Sequence, residues 1–275
     1  MIIPRKRTSF FVFFMALFLG VQQSAHTNPM HTPIKAILVG KPFLISTDRA
    51  SVVGEAGVFS TLWNLGKALS LQKDLFAKIT KKFGAQTQPY KANDPDTGKP
   101  LPLIMRYWLT GEKTGVEVRD AILKLFDGDS YTQKIVNIVF TPEKFIATNG
   151  IINDALKLVK RVKPGISQFF ASNQDAATYE AIRTSDMGKK ILPHFKAVYN
   201  SGNLKPPHQG IVLQDPAFYQ LIMQEQNLKP EECLVIDTDE DIIAAAKSLG
   251  MQHFQYKAGD YDAVKKELKR LHLIS

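Results

Sequence analysis

The sequence predicts an α/β protein: a parallel-sheet core that carries a helical insertion and follows an N-terminal export signal. Three observations lead there. The 275 residues have ordinary globular composition, 44% hydrophobic and 22% charged, enough to bury one large core. After Gly150, short apolar runs alternate with segments of helical period up to the C-terminus. Before Gly150, one apolar run is followed by a long, mostly helical stretch.

The export signal is read from residues 1–25. Arg5, Lys6 and Arg7 precede an apolar run from Phe10 to Val21, which ends in Gln22-Gln23-Ser24-Ala25. A charged start, an apolar middle too short to span a bilayer comfortably and a small residue at the end form a secretory leader cleaved near Ala25. The protein is therefore expected to be exported, periplasmic or secreted, with membrane contact only through an uncleaved leader. Setting aside the three leader cations lowers the formal charge from +9 to about +6. Its Lys clusters lie along helix-like segments without interleaved aromatics, so solvated helix faces account for them and no nucleic-acid partner is expected. The single cysteine, Cys233, has no internal disulfide partner and begins a buried strand.

The core is expected over residues 33–48 and 150–275. Strands are predicted at Lys35 to Val39, Ile166 to Ala171, Ala197 to Tyr199, Leu234 to Asp237 and Gln252 to Tyr256. Helices are predicted at Ile151 to Val162, from Asp175 onward, Pro216 to Glu225, Glu240 to Leu249 and Tyr261 to Leu271. Asn173 is a candidate cap for the helix from Asp175. Such alternation implies a parallel sheet covered on both faces, and Lys35 to Val39 belongs at its centre. Ligands in these sheets lie beyond the C-terminal strand ends, where Ser172 and Asp237 fall. Residues 49–149 are the insertion. Its Trp63 and Trp108 read as core residues, and Pro102 to Gly111 with a helix from Val116 to Leu125 fits a small cap over the crevice.

Three stretches carry a family resemblance. Ser172-Asn173 ends a hydrophobic strand. Asp215-Pro216-Ala-Phe-Tyr219 opens a helix. Cys233-Leu-Val-Ile-Asp237-Thr-Asp-Glu-Asp241 runs into a helix with an Ala-Ala and Leu-Gly-Met pattern. In this order the chain resembles the haloacid-dehalogenase-like hydrolase superfamily, especially members with a helical cap inserted after the first strand. The resemblance implies a Rossmann-like core, phosphate binding through Ser172 and Asn173, and a magnesium ligand at Asp237.

It also implies an aspartate nucleophile, a second aspartate as acid/base and a lysine, since the carboxylate attacks while the cations offset charge. Here Gly40 aligns with the nucleophile, Pro42 with the acid/base, Leu213 with the lysine and Thr238 with the second carboxylate of the fourth motif. Alternatively, Phe43 to Thr47 is the first strand and Asp48 the nucleophile, and Lys205 fills the place left by Leu213. Asp239, Glu240 and Asp241 read as helix-starting residues favoured by the dipole.

These departures lead to an expectation of a catalytically impaired or non-hydrolytic relative that keeps a crevice for a small phosphate-type ligand, with Mg2+ as the one cofactor to consider. Two alternatives stand beside it. One is an active hydrolase using Asp48 or an unrecognised nucleophile; the other is a secreted interaction protein with a vestigial crevice.

Overall fold

A computed structural model describes residues 32–47, 77–85 and 101–275. Within the body spanning Pro33–Ser275, five strands form one parallel sheet. They are β1 (Ala36–Gly40), β4 (Ser167–Ser172), β5 (Ala197–Asn200), β6 (Cys233–Asp237) and β7 (Gln252–Gln255), in the order β5-β4-β1-β6-β7. β1 is buried at every residue and lies in the centre, as its unbroken apolar run requires. Its partners are fixed on both sides, Gly40 opposite Ala171 and Val39 opposite Ile236.

Alternation along β1 sends side chains to two cores. Ile37 and Val39 join Phe170, Leu234 and Ile236 beneath α6 (Asn153–Val159), α7 (Ala176–Thr184), α8 (Asp186–Ile191) and α11 (Tyr261–Arg270). Ala36 and Leu38 join Phe169, Ala171, Cys233 and Val235 beneath α9 (Pro216–Gln226) and α10 (Glu240–Ser248). The sheet thus carries helices on both faces, and its polar C-terminal edge is where the alternating elements meet.

A short helical turn, α1 (Lys41–Leu44), follows β1. It leads into a two-stranded antiparallel ribbon of β2 (Ile45–Thr47) and β3 (Asn149–Ile151), where the chain leaves the core and re-enters it. The ribbon alters one expected helix. Ile151 is drawn into β3, Ile152 donates its amide to Leu44 O, and α6 starts only at Asn153. At the other end, Val162 bridges to Ile274 and Lys163 N bonds Leu273 O, so pairing with the C-terminal segment replaces the last helical turn.

Between the ribbon strands the described residues are mostly helical. Residues 77–83 are followed by α2 (Leu103–Leu109), α3 (Gly115–Leu123), α4 (Ser130–Val139) and α5 (Pro142–Ala147). They have their own core of Ile79, Ile104, Trp108, Val118, Ile122, Phe126, Val136 and Phe140, with the Trp108 and Phe140 rings 4.6 Å apart. Trp108 is therefore a core residue, whereas Trp63 lies outside the described residues. A reciprocal cap between Thr114 and Glu117 starts α3.

Polar contacts among the described residues tie the helical segment to the sheet side. Ser201 Oγ donates to Leu109 O at 2.8 Å, Arg106 Nη2 to Gly210 O at 3.3 Å and Gln209 Nε2 to Gly111 O at 3.3 Å. Gly111 has φ +72, and a Cβ there would stand 2.7 Å from Gly202 O, so glycine is required by both backbone and space.

Candidate functional site at the C-terminal edge of the sheet

Gly40 and Asp237 end adjacent parallel strands. Asp237 is 4% exposed, and its Oδ1 accepts from Thr238 N at 2.7 Å and Asp239 N at 3.0 Å. That anchoring turns Oδ2 toward β1. A Cβ added to Gly40 would collide with Asp237 Oδ2. The carboxylate of β6 thus fills the space that a side chain from β1 would use. Burial pushes the Asp237 carboxyl up to about 6, with the neighbouring Asp239 charge acting in the same direction and the two backbone donors opposing it.

Ser172 and Asn173 leave the end of β4 and meet different fates. The Asn173 side chain is engaged at both ends: Nδ2 donates to Gln214 Oε1 at 3.0 Å, and Oδ1 accepts from Leu213 N at 3.0 Å. Gln214 Nε2 in turn donates to Asp239 Oδ2 at 2.9 Å. Asp239 Oδ1 caps α10 through Asp241 N and Ile242 N. A chain of hydrogen bonds therefore crosses the crevice from β4 to the start of α10, so these groups satisfy one another. Ser172 Oγ is buried with no hydrogen-bond partner among the described residues. The cap of α7 is Asp175, whose Oδ1 takes Ala177 N and Thr178 N. Asn173 does not cap that helix, because its side chain is held by the Leu213 and Gln214 segment.

The other aligned positions are equally definite. Leu213 is 4% exposed in the apolar core under α9, and Lys205 is exposed in the loop before it. Asp215 caps α9 through Ala217 N at 2.9 Å. Thr238 N donates to Asp237 Oδ1, and its carbonyl oxygen accepts from Gln255 Nε2. Asp48 lies outside the described residues. The segment before it, Ile45–Thr47, belongs to the ribbon and not to the main sheet.

Two residues of this edge escaped the sequence reading. Gln214 stands beside the Asp215-Pro216 motif, but its link to Asn173 joins positions 41 apart in the chain. Lys41 lies between Gly40 and Pro42 and is 9% exposed. Its Nζ stands 4.8 Å from the Phe145 ring centroid, and burial lowers its pKa to about 8. A lone charged residue between Gly40 and Pro42 was the available signal, but the folding of α5 against it was not readable.

The donor set at this edge does not suit magnesium. That cation prefers octahedral oxygen ligands from carboxylates and substrate. Asp237 Oδ1 already serves two amides, both Asp239 oxygens are hydrogen-bonded, and Gly40 offers no oxygen from its side chain. Among the described residues there is no group of three His, Cys, Asp or Glu side chains that could hold a metal ion. Nor is any helix of the described residues long and apolar enough to cross a membrane.

The parallel sheet with helices on both faces and the mostly helical segment after its central strand place this chain among the Rossmann-like α/β folds. The family model for haloacid dehalogenase-like hydrolases matches residues 58–250, well over half of the chain, and the protein belongs to that family. Among solved structures, it is similar to a HAD family enzyme, BT-2542, from Bacteroides thetaiotaomicron in its magnesium complex. The identity is 18%, the TM-score is 0.54, and 86% of this chain and 100% of that one are covered. The same enzyme with magnesium and inorganic phosphate matches at 18% identity and TM-score 0.50, covering 82% and 96%. A predicted HAD-like family hydrolase from Porphyromonas gingivalis matches at 16% identity and TM-score 0.54, covering 87% and 99%. These likenesses establish the fold. No curated protein sequence matches the chain.

Proposed function

We propose that this protein is an exported, non-hydrolytic member of the haloacid dehalogenase-like family, its crevice kept as a binding site for a small hydrogen-bonding molecule. The observation that carries this reading is the exchange at the sheet centre. Position 40 is glycine, and the Asp237 carboxylate occupies the room its side chain would need. Nucleophilic catalysis by a carboxylate requires that group to reach the substrate phosphorus unobstructed. Here the remaining carboxylate is buried and tied to two amides.

The hydrogen-bond chain through Asn173, Gln214 and Asp239 supports the same reading, since groups that would grip a transferred phosphoryl satisfy one another. A phosphate-type anion at Ser172 and Asn173 is correspondingly weakened. Asn173 is engaged, and the place of the family lysine is held by Leu213 inside the apolar core. The Bacteroides enzyme was crystallised with magnesium and phosphate. In this chain Asp237 is the one residue at a family metal position, and its surroundings favour a weak site at most. The export part of the reading rests on the basic start and apolar run of residues 1–25.

The test is a phosphatase screen of the mature chain with and without magnesium, beside Asp48→Asn and Asp237→Asn variants. No turnover above the blank is expected in any of the three. Robust magnesium-dependent turnover lost in Asp48→Asn would overturn the proposal and make Asp48 the nucleophile. Export is checked by sequencing the N-terminus of protein recovered outside the cytoplasm, where a start near His26 is expected.

A further inference from the structure

Among the described residues, three buried polar atoms at one end of the sheet have no hydrogen-bond partner: Ser172 Oγ, Asp175 Oδ2 and Asn200 Nδ2. Their residues are 1%, 5% and 3% exposed. Buried polar groups are almost always paired, and three orphans in one neighbourhood call for a common explanation.

The backbone brings them together. Ser172 and Asn200 are register partners in the parallel pair β4 and β5, so their side chains leave adjoining strands on the same face. Asn200 Oδ1 accepts from Gln174 N at 3.1 Å, which draws the next residue, Asp175, toward the same spot. Asp175 uses Oδ1 to cap α7, leaving Oδ2 without a partner among the described residues. The loop is also closed from outside. Gly202 N bonds Gln174 O at 3.1 Å, and a Cβ on Gly202 would stand 2.7 Å from Asp175 Cα.

The chemistry of the three atoms selects the guest. Asn200 Nδ2 donates, Asp175 Oδ2 accepts, and the Ser172 hydroxyl does either. An oxyanion would face the Asp175 carboxylate, and a bare cation would face the Asn200 amide hydrogens. A molecule with both donors and acceptors and no charge satisfies all three, and water is the smallest such molecule.

We propose that Ser172, Asp175 and Asn200 together hold a neutral, water-sized hydrogen-bonding guest, so that the Ser172 hydroxyl serves this guest and not an oxyanion. This deepens the reading of the edge as a binding site and rests on it. On this reading the Ser172 hydroxyl, which the family resemblance assigns to phosphate, is engaged next to the Asp175 carboxylate instead.

The experiment is a pair of crystal structures of the mature chain, grown with and without inorganic phosphate. One spherical density peak within hydrogen-bonding distance of all three atoms, the same in both crystals, is the expected result. Tetrahedral density at Ser172 in the phosphate crystal would overturn the proposal, as would direct bonds among the three side chains with nothing between them. In solution, Asn200→Asp keeps Oδ1 but replaces the donor with an acceptor, and should lower Tm by about 4 °C or more. Ser172→Ala leaves two partners and should lower it by less. An unchanged Tm in Asn200→Asp would count against the guest. Tetrahedral density in a protein without phosphatase activity would sink this inference while leaving the non-hydrolytic reading intact.

Discussion

Replacing Gly40 with alanine isolates the contact on which the functional reading rests. The backbone of Gly40, at φ −78 and ψ 163, is one that alanine adopts freely, so the change introduces no backbone strain. What it introduces is a methyl group against Asp237 Oδ2. Overfilling a packed site costs about 1–3 kcal/mol. The carboxylate cannot yield freely, because Oδ1 is held by Thr238 N at 2.7 Å and Asp239 N at 3.0 Å. If it swings away, hydrogen bonds to a charged group worth about 1.5–3 kcal/mol are at stake.

The expected destabilisation is therefore about 2–4 kcal/mol, a large part of a stability of about 5–15 kcal/mol. Urea unfolding of wild type, Gly40→Ala, Asp237→Ala and the double variant measures it. Because Asp237→Ala removes the obstructing oxygen, the double variant should be at least about 1 kcal/mol more stable than the sum of the single effects. A Gly40→Ala cost below about 0.5 kcal/mol with an additive double variant would refute the assignment of that space to Asp237. By the same geometry Gly40→Asp creates no phosphatase, since its carboxylate begins in occupied space.

Three further outcomes follow from the same structure. The Asp237 carboxyl is pushed from 3.8 up to about 6, so between these values the folded state keeps a proton that the unfolded chain has lost. Stability from this group then falls as pH rises through that window and stays lower above it, by about 3 kcal/mol. The difference between wild type and Asp237→Asn in denaturant midpoints from pH 4 to 7 should show that slope. Lys41 has the opposite sign of linkage: its pKa falls from 10.5 to about 8, so its stability contribution is greatest above 10.5 and is lost as pH falls to about 8. Lys41→Met should stabilise the protein at pH 7 by about 2–3 kcal/mol, less the contact with Phe145, with the gain shrinking toward pH 10. Gln214→Ala removes the bridge between Asn173 and Asp239 and should cost about 1–3 kcal/mol in the same unfolding assay.

Asp237 and Lys41 share a feature that a purely structural edge would not need. Each is a buried ionisable group whose charged form is penalised by burial, and such groups concentrate at functional sites. Their place at the end of the central strands agrees with the proposed reading of this edge as a binding site.

Much of this was legible from residue order alone. The unbroken apolar run of β1 required a central strand, and strand and helix periods in alternation required a parallel sheet with two covered faces. The acidic start of α10 followed from the helix dipole, and Asp239 does cap it. Elements whose limits depend on distant pairing were less legible. Ile151 has the period of a helix, yet its backbone bonds a strand about a hundred residues earlier. The residues after Val159 likewise pair with the C-terminus.

The sequence by itself determined the architecture, because apolar periodicity acts locally, and it put Gly40, Ser172 and Asp237 at the C-terminal ends of their strands. Only the tertiary structure decided what the remaining groups do. It turned Asn173 toward Gln214, left Ser172 beside Asn200 and set the Asp237 carboxylate into the space beside Gly40. The direction of a side chain at a sheet edge depends on partners from other strands and loops, and no local pattern in the chain records those partners.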